Sequence, residues 1–395
     1  MSHQNQVVIT SAFRTAIGSF GGSLASKTAA ELGAEVIKKC MIHSNLKADD
    51  VDMVYMGQVL TSGTGQNPAR QAAIYAGISK DKTATTINQV CGSGLASIAL
   101  AFNTIKCGDG EILIAGGQES MSNAPHFIKI RNGLKMGPGT LADSMIVDGL
   151  WDIYNNYHMG MTAENVAEKY QITREEQDSF ALLSQRKAGE AIKSKKFKDE
   201  IVPLKIYIKK KELIFETDEY PKLNTTVEKL SSLRSAFKKE GTVTAGNSSG
   251  INDGAAAVVL MSIKEAEKRK IEPLARIVSW AQCGVDPSIM GTGPIPASKK
   301  ALEKAGWEKD QVDLIEANEA FAAQAISVNK ELGFVSDKVN VNGGAIALGH
   351  PIGASGTRIL VSLIHEMHKR KLKRGLATLC IGGGMGIAMC IETDF

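Results

Sequence analysis

The sequence predicts an α/β protein built as two similar halves with a further domain inserted between them, and three observations lead there. Many of the 39 glycines sit where a short apolar run ends, as in Ile114-Ala115-Gly116-Gly117 and Ile381-Gly382-Gly383-Gly384, the pattern of strands closing in tight turns beside helices. A weak repeat joins the two ends of the chain. Asp50-Val51-Asp52-Met53-Val54 returns as Gln311-Val312-Asp313-Leu314-Ile315, and residues 111–117 are echoed by 377–383, so one topology is expected twice. Between the halves, residues 122–245 are polar and irregular, with weak strand signals and two basic runs.

The elements follow in order. Val7-Val8-Ile9-Thr10 opens the chain as a strand. Helical periodicity marks residues 29–40, 94–106, 173–191, 263–269, 296–305 and 355–369, separated by short β-branched runs. Thr173 and Glu176 have the spacing of a capping box at the start of the third helix. Thr244-Ala245-Gly246-Asn247-Ser248-Ser249-Gly250 ends the insert, after which residues 254–261 resume a buried-strand pattern that rejoins the first half. The expected domains are therefore 1–121 plus 246–272, the insert 122–245, and 273–395.

Bulk properties narrow the class. A chain of 395 residues suits two or three units around a large core. With 43% hydrophobic and 22% charged residues, and no uninterrupted apolar run of the roughly 18 residues a span requires, no membrane segment is expected. The first residues enter a strand without a basic segment or an apolar signal core, and the last do not form a Ser-Lys-Leu address, so a cytoplasmic location is expected. A net charge of +4 is too small to imply nucleic acid. The basic runs at 193–198, 209–211 and 368–374 read as solvated faces, the last closing a helix whose dipole favours cations; the first two are also open to a phosphorylated ligand.

Six cysteines without a CxxC pair argue against structural zinc and against a disulfide scaffold. Cys40, Cys107, Cys283 and Cys390 read as small buried hydrophobes. Cys91 differs: in Asn88-Gln89-Val90-Cys91-Gly92-Ser93-Gly94 a β-like run turns into a helix. Helix N-terminal charge there is expected to lower a thiol pKa, and adjacent N–H groups to hold an oxyanion. On these residues alone a reactive and an inert Cys91 both stay open.

Asn342 to Gly356 is a glycine-dense turn presenting one histidine, His350, ahead of a helix. An imidazole can take a thiol proton and leave a thiolate–imidazolium pair; a core histidine bonded to backbone is the alternative. A dinucleotide loop lacks its GxGxxG spacing here. Cys380, at a strand end before Gly382-Gly383-Gly384, can exchange a proton with a carbon acid while the Gly382 N–H meets the enolate oxygen, or it is simply a strand-core cysteine. Asn318, after the apolar Leu314-Ile315 and before Ala322-Ala323, reads as a helix cap or as an amide holding a water or carbonyl.

Those four segments, in that order, resemble the thiolase family over essentially the whole chain. The resemblance implies a layered αβαβα arrangement of two duplicated α/β halves with an inserted loop domain that faces coenzyme A and makes tetramer contacts. It implies Cys91 as the acylated nucleophile, His350 as its activator and Cys380 as the acid/base thiol. Asn318 would hold a water beside His350, and the N–H groups of Cys91 and Gly382 would form an oxyanion hole.

Tyr157-His158-Met159-Gly160 and the stretch 285–293 are nearest to the biosynthetic short-chain type, which condenses two acetyl-CoA to acetoacetyl-CoA and CoA. The roomier alternative within the family is a degradative 3-ketoacyl-CoA thiolase. A non-catalytic lipid-binding or redox-sensing protein on the same fold is the alternative of another class. By the same resemblance His158 and Ser249 contact the pantetheine arm, and Leu150, Phe237, Met290 and Phe321 line the pocket. Lys222 stands where relatives often carry an arginine, giving charge without a flat guanidinium. No metal or cofactor is implied beyond coenzyme A as part of substrate and product, and a homotetramer, a dimer of dimers, is.

Overall fold

The computed structural model describes residues 6–394. Residues 1–5 and 395, on which the reading of the chain ends partly rests, lie outside the described residues. Its centre is an 11-stranded sheet. The nine long strands are β1 (Val7–Thr15), β2 (Met53–Gly57), β3 (Thr83–Ile87), β4 (Ile112–Ser120), β5 (Asn252–Ser262), β6 (Ala275–Gly284), β7 (Leu314–Ala317), β8 (Arg374–Ile381) and β9 (Met385–Glu392). They run in the order β7-β8-β9-β6-β1-β5-β4-β2-β3.

The order shows the duplication. From a seam where Val8 and Ile9 of β1 pair with Arg276 and Ala275 of β6, each side runs outward through two antiparallel partners to a parallel one: β5, β4, β2 on one side and β9, β8, β7 on the other. The first echo is a shared hydrogen-bonding device. Asp52 Oδ2 accepts from the backbone N–H groups of Glu111 and Ile112, and Asp313 Oδ2 accepts from those of Lys373 and Arg374.

That device corrects the second echo. Glu111 matches Lys373, not Ala377, a slip of four residues. The misleading signal is a glycine pair used twice for different reasons. Gly116 and Gly117 lie inside β4, where a Cβ would strike the backbone of Ala256 and of Gly353. Gly382 and Gly383 instead follow β8 and make the turn into β9.

Nine helices matter for the layers: α1 (Ala29–His43), α2 (Pro68–Tyr75), α3 (Ser93–Cys107), α4 (Gly160–Lys169), α5 (Arg174–Lys193), α6 (Ile263–Arg269), α7 (Pro294–Ala305), α8 (Ala322–Leu332) and α9 (Ser355–Arg370). Side chains alternate along β1: Val8 joins Val36, Ile37 and Val54 under α1 and α2, while Val7 and Ile9 join Leu95, Ile98, Ile359 and Leu363 of α3 and α9. The second half buries Ala297, Ala301 and Leu302 of α7 against Ile315 and Leu376. Both α3 and α9 touch strands of both halves. The result is the expected αβαβα layering, with α3 and α9 as the middle layer.

By length and composition alone, Val90–Cys107 is apolar enough to cross a membrane; that character suits a helix packed against strands of both halves of the sheet. Its last residue, Cys107, is exposed and Cys283 half-buried. Both depart from the expectation of buried hydrophobes. Cys107 lies one residue before Gly108 closes the helix, beyond the stripe that α3 buries.

The segment between β4 and β5 contributes α4, α5 and short hairpins. The Thr173–Glu176 capping box starts α5. Ile201 and Val202 pair with Arg14 and Thr15 of β1, and Arg14, wholly buried, bonds Glu200 at 2.6 Å and Asp218 at 2.7 Å. Replacing Arg14 by leucine strands two buried carboxylates. It is expected to lower stability by about 3–5 kcal/mol, read as a lower denaturant midpoint.

Candidate active site

The loop before α3 is bent at Val90, a β-branched residue at φ +46°, a conformation such residues rarely adopt. Asn88 Oδ1 accepts from the Val90 N–H, and Ser93 Oγ accepts from the Gln89 N–H while donating to the Val90 carbonyl. The strain, of order 1–3 kcal/mol, is held by those bonds. Cys91 follows, buried, two residues ahead of α3.

Across from it is the turn after β8. A Cβ on Gly382 would strike Met159 Cε and crowd Val90, and one on Gly92 would strike Ile381, so the two loops touch through glycines. The backbone N–H groups of Gly382 and of Cys91 itself favour the thiolate form of Cys91. Gly383 and Gly384, both at φ +87°, let the chain turn straight into β9. Cys380 is fully buried with Met159, Ala163, Val243, Met290, Ala320 and Phe321.

His350 hangs on two elements. Its N–H donates to Asn252 Oδ1, and Nδ1 meets Ser355 Oγ at 2.5 Å. Ser355 has one hydroxyl proton and donates it to the Pro351 carbonyl, so its oxygen accepts from Nδ1–H. Nε2 thereby carries the lone pair and accepts from Asn318 Nδ2 at 3.5 Å. Asn318 is not a helix cap: α8 begins at Ala322 with Phe321 at its N-cap position. The Asn318 N–H is held by the Thr378 carbonyl of β8, and Oδ1 is buried without a hydrogen-bond partner among the described residues.

Electrostatics reverse one expectation. Burial pushes the Cys91 thiol up to about 11, with Glu119 adding to the rise, against the two N–H groups that favour thiolate. Burial, with Arg358 nearby, pulls His350 down to about 3. The resting pair is neutral thiol and neutral imidazole rather than thiolate–imidazolium. Residues remote in sequence close the pocket, and the desolvation they impose outweighs the helix end. Cys380 is raised further still, by burial and then by Cys91.

The surrounding residues fall into three groups. His158 stacks on Phe237 with centroids 4.6 Å apart, and Phe237 meets Phe321 edge-on at 6.2 Å; with Met290 these join the group around Cys380. Ser249 is half-buried, its N–H on the Ala320 carbonyl. Leu150 packs instead with the central core that holds Cys91. Lys222 stands apart, exposed, its Nζ over the Tyr220 ring at 5.3 Å, on a cleft of about 630 Å³ with Lys229, Leu233 and Gly246. Of the basic runs, Lys195 and Lys198 face another cavity beside Phe13, and residues 209–211 tip an exposed hairpin.

Three supporting residues were not singled out from sequence. Ser355 and Asn252 fix His350, and Glu119, buried and raised to about 7 chiefly by burial, accepts from the N–H groups of Val59, Leu60 and Gly353. Ser355 sat inside the glycine-dense motif; Asn252 and Glu119 carried no local signal.

Fold and site together define a class: a duplicated α/β fold with two buried thiols in electrostatic reach of one another and a buried histidine facing the Asn318 amide. The thiolase N-terminal domain model matches residues 7–264 and the thiolase C-terminal domain model residues 271–393, and the chain belongs to the thiolase family. It is 58% identical over 386 residues to an acetyl-CoA acetyltransferase of Rhizobium meliloti (strain 1021), covering 98% of each chain. It is 59% identical over 390 residues to one of Pseudomonas aeruginosa, covering 98% of this chain and 99% of that one. The crystal structure of the Bacillus anthracis acetyl-CoA acetyltransferase superposes with a TM-score of 0.96 at 47% identity, covering 98% of each.

Proposed function

We propose that this chain is an acetyl-CoA acetyltransferase that condenses two acetyl-CoA into acetoacetyl-CoA and CoA, reversibly, through an acetyl-cysteine at Cys91. The observation that carries the reading is the pocket itself: a nucleophile whose thiolate form two N–H groups favour, and a second thiol within its electrostatic reach. Curated relatives of that name, alike over nearly the full chain, support it.

The steps follow from the groups present. His350 Nε2 takes the Cys91 proton as the sulfur attacks the thioester carbonyl, and CoA leaves with a proton. Asn318 Nδ2 and, while the ring carries a transferred proton, the imidazole Nε2–H bracket one carbonyl oxygen; the Cys91 and Gly382 N–H groups receive the other. Cys380, its own proton passed to the imidazole, removes the α-proton of the second acetyl-CoA; the enolate attacks the acetyl group in a Claisen condensation, and the departing Cys91 thiolate takes the imidazolium proton. Each step is redox-neutral and moves only protons and an acyl group, so no cofactor is proposed.

Coenzyme A would run along residues 244–249, from the Lys222 cleft to Ser249 beside Phe321. His158 accepts from the Gly160 N–H at Nδ1, 3.0 Å, which leaves its Nε2–H to donate to a pantetheine amide. Replacing Lys222 by alanine is expected to raise KM for CoA about two- to fivefold at unchanged kcat, as an exposed charge does, and arginine is expected to lower it.

Met159, Met290, Phe237 and Phe321 close the acyl end, which favours short chains. Thiolysis of acetoacetyl-CoA is expected to exceed that of a long-chain 3-ketoacyl-CoA by at least about tenfold in kcat/KM. A long-chain preference assigns the chain to degradation instead, and no turnover of either leaves a non-catalytic binder on this fold.

We also place the protein in the cytoplasm, in lipid metabolism, as a dimer of dimers. Exposed Ile130, Leu134, Met136 and Leu141 in the insert supply apolar surface for that assembly, and sedimentation reads it directly.

A further inference from the structure

Behind His350 lies a buried ion pair that the reaction scheme does not use. Arg358 Nη1 meets Glu316 Oε2 at 3.4 Å, with both side chains almost fully enclosed. Arg358 is on α9, one turn beyond Ser355, and residues three apart on a helix are neighbours. Glu316 is on β7, two residues before Asn318. One pair therefore ties together the helix that holds His350 Nδ1 and the strand end that sets the amide facing Nε2.

We propose that Arg358 and Glu316 form a positioning device for His350, fixing the distance between its two supports and setting a guanidinium charge behind the ring. The inference rests on the reading of His350 as the base.

The guanidinium is poorly compensated. Its Nε and Nη2 have no hydrogen-bond partner among the described residues. The charged groups facing it are Glu316 from β7, Arg14 from β1, Glu200 from the insert and Glu319 ahead of α8. Lys187 of α5 and Glu366 of α9 act on the same carboxylates. The other acids are already engaged: Glu200 by Arg14 and Ser362, Glu319 by Ser184 and Asn340, Glu366 by Asn342, Lys196 and Arg370.

Glu316 itself is raised to about 8, by burial first and then by Glu200, Glu319 and Glu366 acting against Arg358. Arg358, with two of its nitrogens lacking a partner among the described residues, is thus incompletely offset. The positive charge left on Arg358 disfavours an imidazolium at His350, in the same direction as burial. The device keeps the ring neutral, with its lone pair at Nε2.

The sign of the test follows. A cation near an imidazole lowers its pKa, so removing it moves the acid limb of kcat/KM to higher pH, toward the ordinary imidazole value of about 6.5. The double variant Arg358→Met/Glu316→Gln leaves no unpaired buried charge and is the variant to read, with cooperative unfolding in denaturant as its check on folding.

For thiolysis of acetoacetyl-CoA, kcat is expected to fall roughly 10- to 100-fold as the ring loses its alignment, with KM changed by less than about threefold and the acid limb moved up. Arg358→Lys keeps the charge and is expected to return the limb to its wild-type position while restoring kcat only in part. An unmoved limb in the double variant, or kcat within about twofold of wild type, overturns the proposal. His350→Ala separates the two levels: an inactive His350→Ala beside an unmoved limb defeats the positioning role alone, whereas an active His350→Ala defeats the base assignment and this inference with it.

Discussion

Cys91→Ala is expected to abolish the acetyl-enzyme and to lower turnover by roughly 10⁴-fold or more, the scale of losing a covalent nucleophile. Intact-protein mass after acetyl-CoA exposure reads the first effect: wild type gains one acetyl group and the variant gains none. The loss is chemical rather than structural. Cys91 sits at the edge of the central core, and exchanging a thiol for a methyl there is expected to shift stability by about 1 kcal/mol. The N–H groups of Gly382 and Cys91 favour a thiolate at this sulfur. An acetylated Cys91→Ala protein would place the nucleophile elsewhere.

Burial adds a signature in wild type. A thiol pushed up to about 11 and an imidazole pulled down to about 3 predict slow alkylation of the resting enzyme at pH 7, because the thiolate is scarce. Acetyl-CoA is expected to slow it further by occupying the sulfur. Alkylation at the rate of a free low-pKa thiolate would restore the thiolate–imidazolium pair that the sequence suggested.

What the sequence disclosed follows the range of the interactions involved. The helices of residues 263–269 and 355–370 have the periodicity of one buried face, and that face is a local property. The Asp52 and Asp313 echo was legible because each aspartate performs its task within its own half. The glycine echo misled because glycine marks any close approach, and the partners that tell β4 from the turn after β8, Ala256 and Gly353 against Met159 and Val90, are distant in sequence. The same holds at the site. Cys91, His350 and Cys380 stood out by their small-residue settings, yet their protonation is decided by enclosure from segments far along the chain. On its own residues Asn318 read as a cap, because an amide ahead of a helix is usually one; the family resemblance set it beside His350, and the fold brings it there.

Cys380→Ser is the more discriminating substitution, since it preserves size and hydrogen-bonding shape while removing acidity. Cys380 is packed against Met159, Met290 and Phe321, so serine fits without a void. Burial and the neighbouring Cys91 already raise the thiol well above its ordinary range. A hydroxyl in the same enclosure is a far weaker acid, and its alkoxide is not available as a base. The first half-reaction does not use this group, so exchange of labelled CoA into acetyl-CoA is expected to persist within about tenfold of wild type, whereas condensation falls by roughly 10³-fold, inside the range of general acid–base catalysis. Thiolysis of acetoacetyl-CoA is expected to fall in parallel, because the departing enolate takes its proton from the same thiol. Loss of exchange and condensation together would make Cys380 part of the acylation step, and intact condensation would remove it from the chemistry. Exchange retained with both carbon–carbon steps lost is the outcome that only a divided pair of thiols produces.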